Sequence, residues 1–266
     1  MEIKIENLKY KTIFNEVSCT FKSKNISTIV GRNSTGKTSL LNLLYKLENY
    51  DSGSIKVGKR HLTNKMLKIE INNYRKDIFY MLQDYETQFI QSNILKDINN
   101  LCGKANSNLN ELLKEFHLKE EILKKSYFEL SSGELKKILI ITMILSDCKL
   151  ILLDEPTIGL DEKTFFLLIK WLKKLKREGK TIIIVSSDSN FVYKVTDEIF
   201  KIIDKDILLE DDINKLIEDK NEMNKLGLEI PKTISFRSLA LKKKKIRLMY
   251  RDDINDLIKD VYRNAR

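Results

Sequence analysis

The sequence predicts an α/β fold built on a parallel sheet, and three observations lead there. A short apolar strand at Ile26–Val30 runs into Gly31-Arg32-Asn33-Ser34-Thr35-Gly36-Lys37-Thr38, which opens a leucine-rich helix. Two further apolar runs, 150–153 and Thr181–Val185, flank a helical stretch at 163–176. That strand, helix, strand alternation indicates a parallel sheet. Between these halves, residues 84–148 read as mainly helical and poor in strand pattern, an inserted subdomain.

The elements follow in order. Over residues 2–9, Ile3 and Ile5 fall on one face of a strand. Val17, Cys19 and Phe21 repeat the alternation after a short connection, so an antiparallel pair is expected. From 38 to 47, Leu40, Leu41, Leu43, Leu44 and Leu47 keep helical spacing. Helix periodicity returns at 109–116 and 135–145, and the longest apolar run, 138–145, fits a buried helix. Past about residue 211 the chain becomes a charged tail, broken by Gly227-Leu228-Glu229-Ile230-Pro231. In its last segment Ile254, Leu257, Ile258, Val261 and Tyr262 form one helical stripe, read as packing onto the main domain. The expected division is a domain at 1–210 and an extension at 211–266 for packing or dimerisation.

Composition sets limits. The 266 residues suffice for one large domain with a small appendage. Lys and Arg number 48 against 38 acids, a net charge of +10. The lysines are spread along the whole chain, so the charge reads as solvated surface rather than a nucleic-acid patch. The one dense run, Lys242-Lys243-Lys244-Lys245, fits either anionic lipid or a helix edge facing water. No apolar run approaches the roughly 18–20 residues a membrane span needs. The start, Met1-Glu2-Ile3-Lys4, lacks the pattern of a signal peptide. Cys19, Cys102 and Cys148 form no CxxC pair, so no disulfide framework or zinc site is expected, and the setting reads as cytosolic and reducing.

The chemistry lies in two places. Residues Gly31, Asn33, Ser34, Thr35, Gly36, Lys37, Thr38 and Ser39 form a phosphate loop, whose backbone N–H groups and helix N-terminus surround an anion. Lys37 would reach the β- and γ-phosphates of a nucleotide, and the Thr38 hydroxyl would ligate Mg²⁺. Asp154 ends an apolar strand, where a carboxylate can meet that metal. Glu155 follows it and is placed to polarise a water for attack on the γ-phosphate.

With Leu130-Ser131-Ser132-Gly133-Glu134 between these two motifs, the chain resembles the nucleotide-binding subunits of ATP-binding cassette (ABC) transporters from residue 1 to about 210. The resemblance implies further site residues. Ser131, Ser132, Gly133 and Glu134 match the signature segment, which completes the ATP site of a second cassette. Gln83 matches the glutamine that senses metal, water and the membrane partner. Asp161 in Gly159-Leu160-Asp161 matches the D-loop, and Tyr10 stands where an aromatic residue stacks on adenine. Within the family, the stretch Leu82-Gln83-Asp84-Tyr85-Glu86-Thr87-Gln88-Phe89, with its second glutamine, is similar to the ATPases of energy-coupling factor vitamin importers. So are Leu226-Gly227-Leu228-Glu229-Ile230-Pro231 and Tyr250-Arg251-Asp252-Asp253.

That resemblance implies ATP and Mg²⁺ as cofactors. The implied partners are a second cassette as homo- or heterodimer, an integral membrane coupling subunit and a membrane solute-binding subunit. It also implies a place on the cytoplasmic face of the membrane and no nucleic-acid partner. Three positions depart from the pattern. Ser187 stands where the family has a switch histidine, Ser132 replaces a glycine and Glu134 a glutamine. Serine can bond a phosphate oxygen but carries no charge. Two alternatives stay open beside a working transport ATPase. One is a degenerate partner cassette with weak hydrolysis at its own site, and the other is a soluble cassette outside transport.

Overall fold

The computed structural model describes residues 1–102, 108–210, 213–228, 235–236, 239–240 and 254–264. The expectations placed on Glu229-Ile230-Pro231, Lys242–Lys245 and Tyr250–Asp253 lie outside the described residues.

Ten strands among the described residues form two sheets. The first is antiparallel, in the order β2-β1-β4-β5, from β1 (Ile3–Tyr10), β2 (Phe14–Phe21), β4 (Ser52–Val57) and β5 (Arg60–His61). Ile3 pairs with Phe21 and Ile5 with Cys19, as the alternation predicts. The second has the order β10-β9-β3-β8-β7-β6. Its strands are β3 (Ile26–Val30), β6 (Ile78–Met81), β7 (Leu150–Asp154), β8 (Thr181–Val185), β9 (Glu198–Ile203) and β10 (Asp206–Glu210). All neighbours pair in parallel except β9 with the edge strand β10.

The second sheet is buried on both faces, as parallel sheets are. In β7, Leu150 and Leu152 enter one core cluster with β1, β2 and the helix α1 (Lys37–Leu44). Ile151 and Leu153 enter the other, with α4 (Leu109–Glu115), α5 (Ser132–Leu145) and α6 (Glu162–Arg177). Such a strand reads as an unbroken apolar run, which is why 150–153 was legible. Phe21 of β2 and Phe200 of β9 bring ring centroids to 4.3 Å, joining the two sheets.

The inserted part holds α3 (Ile94–Cys102), α4 and α5, preceded by α2 (Lys68–Arg75). The predicted helix at 38–47 stops at Leu44, and Leu47 is exposed beyond it. The chain closes with α7 (Ser189–Val195), α8 (Ile213–Glu218), α9 (Lys220–Lys225) and α10 (Ile254–Asn264). The stripe expected on α10 is only partly buried, for Leu257 is fully covered while Tyr262 is exposed. The elements expected from the sequence do not include β4, β5, β6, β9, β10, α2, α7, α8 or α9. In β9 the buried set includes Glu198 and Lys201, whose charges hide the apolar pattern.

Candidate functional site

The strand order puts β3, β8 and β7 side by side with their carboxyl ends on one edge of the sheet. That edge is where ligands of open α/β sheets bind. The phosphate loop leaves β3 after Val30, Asp154 ends β7, and Ser186 and Ser187 follow β8. Together they line or border a cleft of about 460 Å³. Asn33, Ser34, Gly36, Lys37, Thr38 and Ser39 line it with Gln83, Asp154 and Glu155.

The loop is shaped by local sterics. Gly36 sits at φ 100, immediately before α1. A Cβ there would fall 2.3 Å from Ile13 Cγ2 and 3.0 Å from Phe14 Cζ. The Thr35 hydroxyl donates to the Arg32 carbonyl at 2.9 Å and closes the turn. The Lys37 ammonium donates to the carbonyls of Gly31 (2.6 Å) and Arg32 (2.8 Å), folded back over the loop. Burial lowers its pKa, against the opposing attraction of Glu155 and Asp154.

Asp154 is 1% exposed, and neither carboxylate oxygen makes an ordinary hydrogen bond. Burial raises its pKa, while the nearby Thr38 hydroxyl and Lys37 ammonium oppose the rise. A buried carboxylate without partners is costly unless a cation completes it. The Asp154 carboxylate and the Thr38 hydroxyl beside it offer oxygen donors of the kind a hard divalent cation takes together with substrate phosphates.

Glu155 has φ 47, in the left-handed region that a non-glycine residue adopts only when its surroundings hold it there. Its N–H donates to Val185 O at 2.9 Å, and its carboxylate accepts from the Ser187 N–H at 3.1 Å. Burial is the largest influence on its pKa and raises it, and the Ser187 N–H and hydroxyl pull the other way. Ser187 lies outside the cleft wall and touches the site through Glu155.

The remaining predicted residues divide. Gln83 is exposed and lines the cleft, whereas Gln88 is used structurally, accepting from Leu82 N–H at 3.0 Å and donating to Tyr80 O at 2.8 Å. Tyr10 is a correction. It is 1% exposed, its hydroxyl donates to Glu48, and it does not line the cleft. As the last residue of β1 it points into the core beside Phe14, and Ile13 takes the place on the wall. Ile13 was missed because it lies in the turn between β1 and β2, where periodicity gives no signal.

Ser131, Ser132, Gly133 and Glu134 begin α5, away from this cleft. Ser131 Oγ accepts from Glu134 N–H at 3.2 Å, and Glu134 Oε2 accepts from Ser131 N–H at 2.9 Å, a reciprocal capping box. Those bonds to Ser131 lower the Glu134 pKa. Ser132 is not among the residues of positive φ, so serine there carries no backbone strain. A Cβ at Gly133 would meet nothing within 4 Å, so nothing in this chain requires the glycine. Asp161 caps α6, accepting from Thr164 N–H at 2.8 Å, and pairs with Lys137 at 3.1 Å. Lys136, unremarked in the sequence, is buried between α5 and the turn after β7.

The family model described as ABC transporter matches residues 14–158. The chain is similar to Energy-coupling factor transporter ATP-binding protein EcfA2 of Clostridium acetobutylicum, 31% identical over 252 residues, covering 87% of this chain and 87% of that protein. The EcfA2 of Staphylococcus epidermidis is 29% identical over 237 residues, covering 85% of this chain and 82% of that protein. Among solved structures, a dimeric ATP-binding cassette in a post-hydrolysis state with ADP and Pi superposes with a TM-score of 0.69. It is 24% identical and covers 79% of this chain and 98% of that one, a likeness of fold.

Proposed function

The chain belongs to the ABC transporter family, and from that premise we propose that it is the ATP-hydrolysing subunit of an importer of energy-coupling factor type. The observation that carries the reading is the Asp154 carboxylate, buried in the cleft that Lys37 and Glu155 also line, with only the Thr38 hydroxyl and the Lys37 ammonium beside it and no ordinary hydrogen bond to either oxygen.

In this reading the N–H groups of residues 33–38 surround the β- and γ-phosphates of ATP. Lys37 exchanges the carbonyls of Gly31 and Arg32 for phosphate oxygens. Thr38, Gln83 and Asp154 would hold a Mg²⁺ ion, which would supply neutralisation of phosphate charge when bound. Glu155, raised in pKa but oriented by Ser187, accepts the proton of the attacking water. Ser131 and Gly133 reach the γ-phosphate bound by a second cassette, and the open space beside Gly133 supports an approach from outside the chain. ATP then drives closure because it binds the closed pair more tightly than the open one.

Closure acts on a membrane coupling subunit docked near Gln83, with solute chosen by a separate membrane-bound subunit. No helix among the described residues is long and apolar enough to cross a membrane, and in this reading the subunit sits peripherally on the cytoplasmic face through its membrane partner. Residues 1–210 act as the cassette and 211–266 as an extension for packing or dimerisation.

The test is ATP turnover and ATP-dependent association of the purified complex, wild type against Glu155→Gln. The variant is expected to lose turnover at this site and persist as a closed dimer under ATP. A second reading, a site already idle that completes another cassette's, is favoured by Ser187 in the histidine's place. Unchanged total turnover in Glu155→Gln would establish it over the first.

A further inference from the structure

Lys136 is the fifth residue of α5 and 2% exposed, on a helix whose other buried members include Leu135, Ile138, Leu139 and Ile141. An ammonium in such surroundings must find strong acceptors. Its acceptors lie on a different element. It donates to the carbonyl of Ile158 at 2.8 Å and to that of Glu155 at 3.2 Å. The ring of Tyr85 lies beneath it, 5.0 Å from the ammonium to the ring centroid. The Tyr85 hydroxyl donates back to Ser132 O at 3.2 Å, at the start of the same helix.

One cation thus stands where three segments meet. They are the helix that carries the signature residues, the turn that carries Glu155, and the segment that follows Gln83. Glu155, at a left-handed φ of 47, is hydrogen-bonded at its N–H, its carboxylate and its carbonyl. Its N–H is fixed by Val185 O at 2.9 Å and its carboxylate by Ser187 N–H at 3.1 Å. Lys136 supplies a charged donor to its carbonyl at 3.2 Å, to which the Ile158 N–H also donates at a long 3.4 Å. The neighbouring Lys137 pairs with Asp161 at 3.1 Å, so α5 grips both ends of the turn.

We infer that Lys136 is a positioning residue, which holds the Glu155 backbone in its strained conformation and transmits the placement of the signature helix to the catalytic base. This rests on the reading of Glu155 as general base. Burial drives the Lys136 pKa down to about 8 against the pull of Glu155, the mark of an ammonium kept in an unfavourable place. An apolar side chain of equal length would fill the space without that penalty, but would leave the Glu155 carbonyl without its charged donor.

The experiment measures kcat, KM and equilibrium ATP affinity in the purified complex for Lys136→Arg, Lys136→Gln, Lys136→Met, Glu155→Gln and the double variant Lys136→Met/Glu155→Gln. Lys136→Met is expected to lower kcat by at least about tenfold, since small misplacements of reacting groups cost that much or more. ATP affinity stays within about threefold of wild type, because Lys136 touches neither the phosphate loop nor Asp154. Lys136→Arg, which keeps a charged donor, returns most of kcat, and Lys136→Gln falls between. The double variant is no slower than Glu155→Gln alone, as for residues acting through one group. Should the apolar variant be isolated unfolded, the order of Arg over Gln carries the comparison. Wild-type kcat in Lys136→Met or Lys136→Gln beside an inactive Glu155→Gln overturns the role of Lys136 alone. A parallel loss of ATP affinity assigns Lys136 a merely structural part and also overturns it. Full turnover in Glu155→Gln overturns the base reading and this inference with it.

Discussion

Gly36 and Glu155 both hold positive φ at the cleft, for opposite reasons. Gly36 is required by space as well as by conformation, since a Cβ would overlap Ile13 Cγ2 at 2.3 Å. Replacing it with alanine forces the loop away from Ile13 and is expected to cost about 1–3 kcal/mol, the range for overpacking. Urea unfolding and nucleotide titration check this, and wild-type ATP affinity in Gly36→Ala would contradict it. Glu155 is a non-glycine residue in the same region, its N–H donating to Val185 O and its carbonyl and carboxylate accepting from Lys136 and Ser187. Ser187, which reads in the sequence as a missing histidine, has a structural role as the N–H donor that holds the Glu155 carboxylate.

At the scale of elements, the helices bearing site residues are fixed by their first turns. In α5 the two departures from the signature pattern keep the start intact, for Ser132 is unstrained and Glu134 completes the capping box with Ser131. In α6 the Asp161 side chain caps the first turn, accepting from the Thr164 N–H. The Thr164 N–H is the largest influence on Asp161 and lowers its pKa from 3.8 to about 2. Its pair with Lys137 is half-exposed and screened by solvent, so the cap bond matters more. Asp161→Ala is expected to cost about 1 kcal/mol at neutral pH. A carboxylate whose folded pKa is depressed stabilises above its unfolded value and ceases to do so below its folded one. The gap in stability between wild type and variant should therefore shrink as pH falls from 3.8 toward about 2. Thermal unfolding across that range measures it, and a gap that widens in acid would refute the cap assignment.

At the scale of the molecule, the extension is tied to the site. Leu216, Met223, Leu226 and Leu228 bury themselves with Val30, Val192 and Ile199 in one cluster. Val30 is the residue before the phosphate loop, and a Cβ on Gly227 would lie 3.6 Å from Arg32 Cγ. Met223→Ala is expected to lose about 2–5 kcal/mol, the range for a buried methionine cut to alanine. It should also weaken ATP binding, because the cavity opens beneath the strand that presents the loop. Denaturant unfolding and nucleotide titration on the same preparation test both parts. A destabilised variant that binds ATP as wild type does would show that the extension does not brace the loop.

The sequence by itself determined the parallel-sheet core, the phosphate loop and the acidic pair Asp154 and Glu155. These reside in local patterns: apolar runs buried on both faces, a glycine loop between strand and helix, and an acid at a strand end. It did not determine β9, where Glu198 and Lys201 are buried, nor the short strands β4 and β5, whose mixed polarity carries no clear period. Nor did it show that Tyr10 turns inward while Ile13 borders the cleft, or that Lys136 reaches Glu155 across 19 positions of chain. Those facts were decided only when strands distant in sequence came side by side. A side chain's partners across such a gap depend on packing, and no local spacing encodes them.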